Sequence, residues 1–143
     1  MRVYFDASVI IAALLSATGG SSKLIRLIKK DLLRGITSQT VIEEILEEDK
    51  SSKLGRQKRE LEQFIQDSGI LVRRSITEEE IEPYKNLIDI EDAHLIAGAK
   101  LTKSYYLVTL DKKHLLNKKV KNKFLPLKIV SPKELLEEVT REN

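Results

Sequence analysis

Five short apolar runs set the terms for this chain: RVYF at residues 2–5, ITS at 36–38, ILVRR at 70–74, YYLVTL at 105–110 and LKIV at 127–130. None carries a helical period, so each reads as a strand. The segments between them, residues 6–16, 18–35, 39–50, 56–69 and 89–103, have the Ala and Leu content of helices or place apolar residues every three or four positions. Strands kept apart by helices do not close as hairpins. Their crossovers are long and right-handed, which leaves neighbouring strands parallel and puts helices on both faces. The expectation is an α/β chain with a mostly parallel, roughly five-stranded sheet.

Local signals place several boundaries. Gly19 and Gly20 mark a loop, and Leu24, Ile25, Leu27, Ile28 and Leu32 trace a stripe that Gly35 is expected to close. Thr40 with Glu43, and Thr77 with Glu80, fit capping boxes, and Pro83 limits the second of these helices. Ser131, Pro132 and Glu134 combine an N-cap, a proline at the first helical position and a capping box, and open a last helix over 133–143. Asp49 to Arg59, rich in Lys, Ser and Arg, is expected to be a loop.

Composition narrows the chemistry. With 143 residues, 41% apolar and 33% charged, residues 1–143 are expected to form one domain. There is no cysteine, which excludes disulfides, thiolate zinc sites and cysteine nucleophiles; two histidines, at 94 and 114, argue against a His-rich centre. Any metal is then held mainly by oxygen. No apolar run approaches the roughly 20 residues that span a bilayer, and Asp6 interrupts what would otherwise resemble a signal peptide, so a cytoplasmic location is expected, with no membrane partner. The net charge is only +3, yet Lys100 to Lys128 holds nine lysines and one acid, Asp111. That segment is either a solvated lysine face or a surface for a polyanion.

In a sheet of this type ligands bind outside the carboxyl ends of the strands, near the point where strand order reverses. Asp6 directly follows RVYF and Asp111 directly follows YYLVTL; Glu43 and Glu44 lie in the early turns after the second strand, and Asp89, Glu91 and Asp92 open the helix before the fourth. Singly, each has a structural role, since Asp6, Asp89 and Asp111 are natural helix caps. Together they conflict. Carboxylates about 4 Å apart repel by roughly 4 kcal/mol per pair at an effective dielectric near 20, unless a cation neutralises them. Mg²⁺ or Mn²⁺ takes oxygen ligands and keeps waters, one of which becomes a nucleophile towards a phosphodiester. Periodicity does not separate Glu43 from Glu44.

The ordered pieces VYFDASVIIAALL, TSQTVIEEI, DIEDAHLIAGA and YLVTLDKKHLL, spanning residues 3–116, resemble a PIN domain, the fold of many metal-dependent ribonucleases including VapC-type toxins. The tail LKIVSPKELLE and the segment GGSSKLIRLIKK are similar to a toxin-like subgroup. The resemblance implies a three-layer α/β/α architecture, one or two Mg²⁺ or Mn²⁺ ions, and hydrolysis of RNA by water. It assigns metal and catalysis to Asp6, Glu44 (a glutamate followed by an aliphatic residue), Asp92 and Asp111, with Ser8, Asp89 and Thr109 as auxiliaries. Leu110 departs from the glycine common there, which implies a less mobile loop around Asp111. Lys112, Lys113, Lys118 and Lys119, with Arg26, Lys29, Lys30 or Arg34, would track RNA phosphates. Tyr105 and Tyr106 read as strand residues rather than stacking platforms.

The resemblance also implies a small antitoxin protein as partner, and homodimers are common in the family; the apolar residues of Leu24–Leu33 and Leu61–Ile65 are candidates for such a contact, and core packing explains them equally well. Two other classes compete. A non-catalytic RNA-binding or scaffolding PIN domain has no need of all four acids. A haloacid dehalogenase-like phosphatase places a second aspartate two residues after the first, where this chain has Ser8.

Overall fold

Five parallel strands form the sheet of the computed structural model, which describes residues 1–51 and 58–142. They are β1 (Arg2–Phe5), β2 (Arg34–Ser38), β3 (Leu71–Arg73), β4 (Tyr106–Val108) and β5 (Lys128–Val130), in the spatial order β3-β2-β1-β4-β5. Val3 pairs with Gly35 on one side and Tyr106 on the other, so β1 is central, and its Val3, Tyr4 and Phe5 are fully buried. The helices are α1 (Ala7–Leu15), α2 (Gly20–Lys29), α3 (Gln39–Ser51), α4 (Lys58–Ser68), α5 (Glu78–Ile81), α6 (Ala93–Leu101), α7 (Lys118–Lys123) and α8 (Pro132–Glu142). α1 packs on α2 and α3, and α2 packs on α4 and α8, while α6 lies against β1, β4 and α5. This is the expected α/β/α arrangement with helices on both sides of the sheet. Among the described residues no single helix is long and apolar enough to cross a membrane.

All five strands overlap their expected runs, β2 starting two residues earlier at Arg34, and the boundary chemistry largely holds. Thr77 and Glu80 form their reciprocal capping box, with a 3-10 turn over Glu82–Tyr84 at Pro83. Ser131 Oγ accepts from Glu134 N–H at 3.1 Å while Glu134 Oε1 accepts from Ser131 N–H at 3.0 Å.

Four local expectations need correction. Gly35 does not close α2: the helix ends at Lys29, Asp31 turns left-handed (φ 59°), and Leu32 N–H reaches back to Leu27 C=O at 2.9 Å, leaving the Leu32 side chain exposed. Gly35 sits in β2, where a Cβ would run into Ile28 of α2, so glycine lets helix and strand approach. Thr40 does not cap α3; Ser38 Oγ accepts from Val41 N–H at 3.3 Å, and Thr40 Oγ1 instead accepts from Ile76 N–H at 2.9 Å. Asp111, expected as a helix cap, opens no helix: KKHLL after it is a run of turns, and the short helix follows as α7, capped by Asn117 on Val120 N–H. Of the expected loop, Asp49–Ser51 belong to α3 and Lys58–Arg59 to α4, and the remainder lies outside the described residues.

The surface suggested for a homodimer is also mostly core. Leu24, Ile25, Ile28, Leu33, Leu61 and Ile65 are buried within the single cluster that includes the sheet, because both helices turn their stripes inward.

Gly98 of α6 lies directly against β1, since a Cβ there would overlap the ring of the buried Tyr4. Gly98→Ala is expected to destabilise the fold by about 1–3 kcal/mol through overpacking. Urea unfolding measures this, and an unchanged midpoint would contradict the packing described.

Candidate metal centre

The chain runs from β1 outward to β2 and β3, then returns to β4 on the other side of β1, so strand order reverses between β1 and β4. Asp6 is the first residue after β1 and Thr109 the first after β4. Asp6 does cap α1, its Oδ1 accepting from Ala7 N–H at 2.7 Å. Its other oxygen does something a cap does not need. Oδ2 accepts from Ser8 Oγ at 3.1 Å and from Thr109 Oγ1 at 2.6 Å.

A hydroxyl has one proton, so with it committed to Asp6 each of these side chains turns its lone pairs elsewhere. Ser8 Oγ accepts from Leu110 N–H and Thr109 Oγ1 from Asp111 N–H, both at 3.1 Å. Asp6 therefore fixes the backbone of the loop that carries Asp111, including Leu110, whose side chain is exposed. Burial pushes the Asp6 carboxyl above its ordinary value; the bonds from Thr109, Ser8 and Ala7 oppose this, and the charge of Glu44 adds to it.

Asp111 caps the turn after β4. Its Oδ1 accepts from His114 N–H at 2.9 Å, and its Oδ2 lies 3.1 Å from His114 Nδ1. Asp92 stands at the N-cap position of α6 but makes no capping hydrogen bond, while Asp89 Oδ1 takes Glu91 N–H at 3.0 Å. Asp92, Asp111 and His114 each offer a ligand atom within 4.8 Å of the others, a spacing one cation can bridge. Burial raises the Asp92 carboxyl from 3.8 to about 6, with Asp111, Asp89 and Asp6 adding to the rise and His114 opposing it. The donor set fits a divalent cation: two carboxylates that repel each other and one imidazole.

The remaining expected residues take up different positions. Glu44, not Glu43, faces the site: Glu43 is exposed, whereas Glu44 Oε1 lies 2.8 Å from Nε2 of the buried His94. Glu44 and Asp6 stand outside the three-residue cluster, although the charge of each is felt within it or beside it. Asp89 and Glu91 are exposed. Lys112, Lys113, Lys118 and Lys119 are exposed and make no ion pair among the described residues. Lys123 Nζ donates to Leu87 C=O at 2.8 Å, tying α7 to the segment that leads into Asp89. Arg34 opens β2 beside Arg2, so it lies at the opposite edge of the sheet, as do Lys29 and Lys30 at the end of α2 just before it. Tyr106 is buried in β4, and Tyr105 N–H bonds to Arg2 C=O at that same far edge.

Sequence reasoning missed both histidines. His114 had a readable signal, lying three residues after Asp111 in a turn the acid caps. His94 had none beyond its place two residues after Asp92.

A PIN domain family model matches residues 2–113. Among solved structures, that of PAE2754 from Pyrobaculum aerophilum is similar with a TM-score of 0.62 and 16% identity, covering 99% of this chain and 96% of that one. At that identity the likeness speaks to fold alone. No curated protein matches the chain in sequence.

Three outcomes follow from the geometry. In cation-free protein, Asp111→Asn is expected to lower the Asp92 pKa from about 6, read by carboxyl NMR titration; an unmoved value would contradict the coupling. The sign for stability is also set. The folded chain holds a proton on Asp92 that the unfolded chain has released, so the contribution of Asp92 to cation-free stability, read as the difference between wild type and Asp92→Asn, falls as pH rises from about 4 to about 6. Thr109→Val leaves the volume but removes the 2.6 Å bond to Asp6, and is expected to cost about 1–3 kcal/mol in chemical unfolding. No loss would mean that the network does not hold the loop.

Proposed function

The chain belongs to the PIN domain family, a nuclease-type fold, and from that premise we propose that it is a metal-dependent endoribonuclease. One observation carries the reading: Asp92, Asp111 and His114 converge within 4.8 Å at the β1/β4 reversal, beside an Asp6 bonded into the same loop. Mg²⁺ or Mn²⁺ would be held by Asp92, Asp111 and His114, with Asp6 and Glu44 at the margin. When bound, such a cation supplies Lewis acidity towards a phosphodiester and lowers the pKa of a coordinated water.

The chain's own residues do the rest. Ser8 and Thr109 keep the Asp6 carboxylate hydrogen-bonded, and through their backbone bonds they hold Asp111 in place. Asp89 orders the turn before Asp92 by accepting Glu91 N–H. Lys112 and Lys113 follow Asp111 directly, and Lys118 and Lys119 open α7, so exposed cations come soon after the acid along the chain. They would bind RNA phosphates and draw the scissile bond to the carboxylates. The resemblance to VapC-type proteins extends the proposal to a toxin restrained by a small antitoxin that sets a basic side chain against these acids. Growth arrest on expression, relieved by a small neighbouring gene, would bear that out; harmless expression would not.

The direct test is cleavage of generic RNA with Mn²⁺ or Mg²⁺. Activity is expected to vanish with EDTA and to drop by more than about 100-fold in Asp92→Asn, since even outer partners of a metal cost 10–100-fold. Cleavage that persists in both would sink the assignment. Lys112→Ala with Lys113→Ala is expected to weaken RNA binding and to flatten the slope of log affinity against log salt by about 1.4 for two lost contacts to a single strand. An unchanged slope would move the RNA path elsewhere.

A further inference from the structure

His94 is out of place on α6. Every residue from Ala93 to Ala99 is buried, and all but His94 are apolar or glycine. A leucine would fill the space with no polar cost, yet an imidazole stands there, 6% exposed. Its Nδ1 is buried with no hydrogen-bond partner, and its Nε2 lies 2.8 Å from Glu44 Oε1. Oε1 is buried too, and the approach is short but off-line for a hydrogen bond, so Oε1 counts no hydrogen-bond partner. The imidazole is the polar group that meets it.

The arrangement fits one tautomer. A carboxylate oxygen facing Nε2 favours the proton there, which leaves Nδ1 a bare acceptor rather than a buried N–H. The pairing also spans two elements: Glu44 is on α3, and His94 is two residues beyond Asp92 at the start of α6. Glu43, one position away, is exposed.

We infer that His94 is a positioning residue that holds Glu44 at the margin of the metal centre, engaging Oε1 and leaving Oε2 for the cation or its water. The inference rests on the metal-centre reading above. It explains why a buried polar ring is kept on an apolar helix, and why Glu44 is turned in while its neighbour is not. Outer partners that orient a ligand carboxylate or imidazole typically change metal affinity by 10–100-fold.

The test is Mn²⁺ calorimetry on wild type, His94→Leu, His94→Gln, Glu44→Gln and the His94→Leu/Glu44→Gln double variant, with thermal melts as folding controls. His94→Leu is expected to bind Mn²⁺ about 10-fold more weakly, His94→Gln to recover most of the loss through its N–H donor, and the double variant to match Glu44→Gln alone. Wild-type affinity in a folded His94→Leu, or losses that multiply in the double variant, would overturn the inference. Ring ¹⁵N shifts of His94 supply a readout independent of the cation and of the folding of the His94 variants. A shift of Nε2 in Glu44→Gln supports the pairing, and an unmoved ring overturns it. Wild type that binds no Mn²⁺ would instead defeat the metal-centre reading, with the ring shifts still deciding whether His94 holds Glu44.

Discussion

The hydrogen bonds that converge on Asp6 tie the centre of the sheet to the site. The carboxylate lies at the end of the central strand, and its three donors come from α1 and from the far side of the strand reversal. A buried carboxylate without them would be costly. With them, it couples β1 to the loop after β4 across a sequence separation of more than a hundred residues. Ser8 and Thr109 are amphoteric links: each gives its proton to Asp6 and accepts one backbone N–H from the Leu110–Asp111 loop. The position of Asp111 is thus tied, through these two hydroxyls, to the buried Asp6.

What surrounds that bond is an unresolved concentration of negative charge. Asp92 feels Asp111, Asp89 and Asp6 at once, and the exposed His114 opposes them. Burial, reinforced by that repulsion, pushes the Asp92 carboxyl up to about 6. A divalent cation answers the repulsion, because it interacts with every carboxylate at once. The cationic residues are arranged to match: lysines follow Asp111 and open α7, while those at the end of α2 and the start of β2 sit at the opposite edge.

Much of this was legible because it followed from chain direction. Asp6 and Asp111 come straight after apolar runs, and in a parallel sheet the ends of all strands share one edge, so two acids could be placed together without knowing a single contact. Gly35 was misread because a glycine after an amphipathic stretch signals a helix end equally well as a close helix–strand approach; only the position of Ile28 distinguishes them. The apolar residues of α2 and α4 were similarly ambiguous between core and interface. Glu43 and Glu44 flank their stripe symmetrically, and what separates them is an imidazole fifty residues on. The two histidines escaped notice because counting them measured how many there are, not that one is in a turn capped by Asp111 and the other buried against Glu44.

Crystals soaked in Mn²⁺ and measured at its absorption edge test most directly whether these side chains share a cation. An anomalous peak bounded by Asp92, Asp111 and His114 is the predicted result. No peak at the β1/β4 reversal, with Mn²⁺ bound elsewhere or not at all, would contradict it.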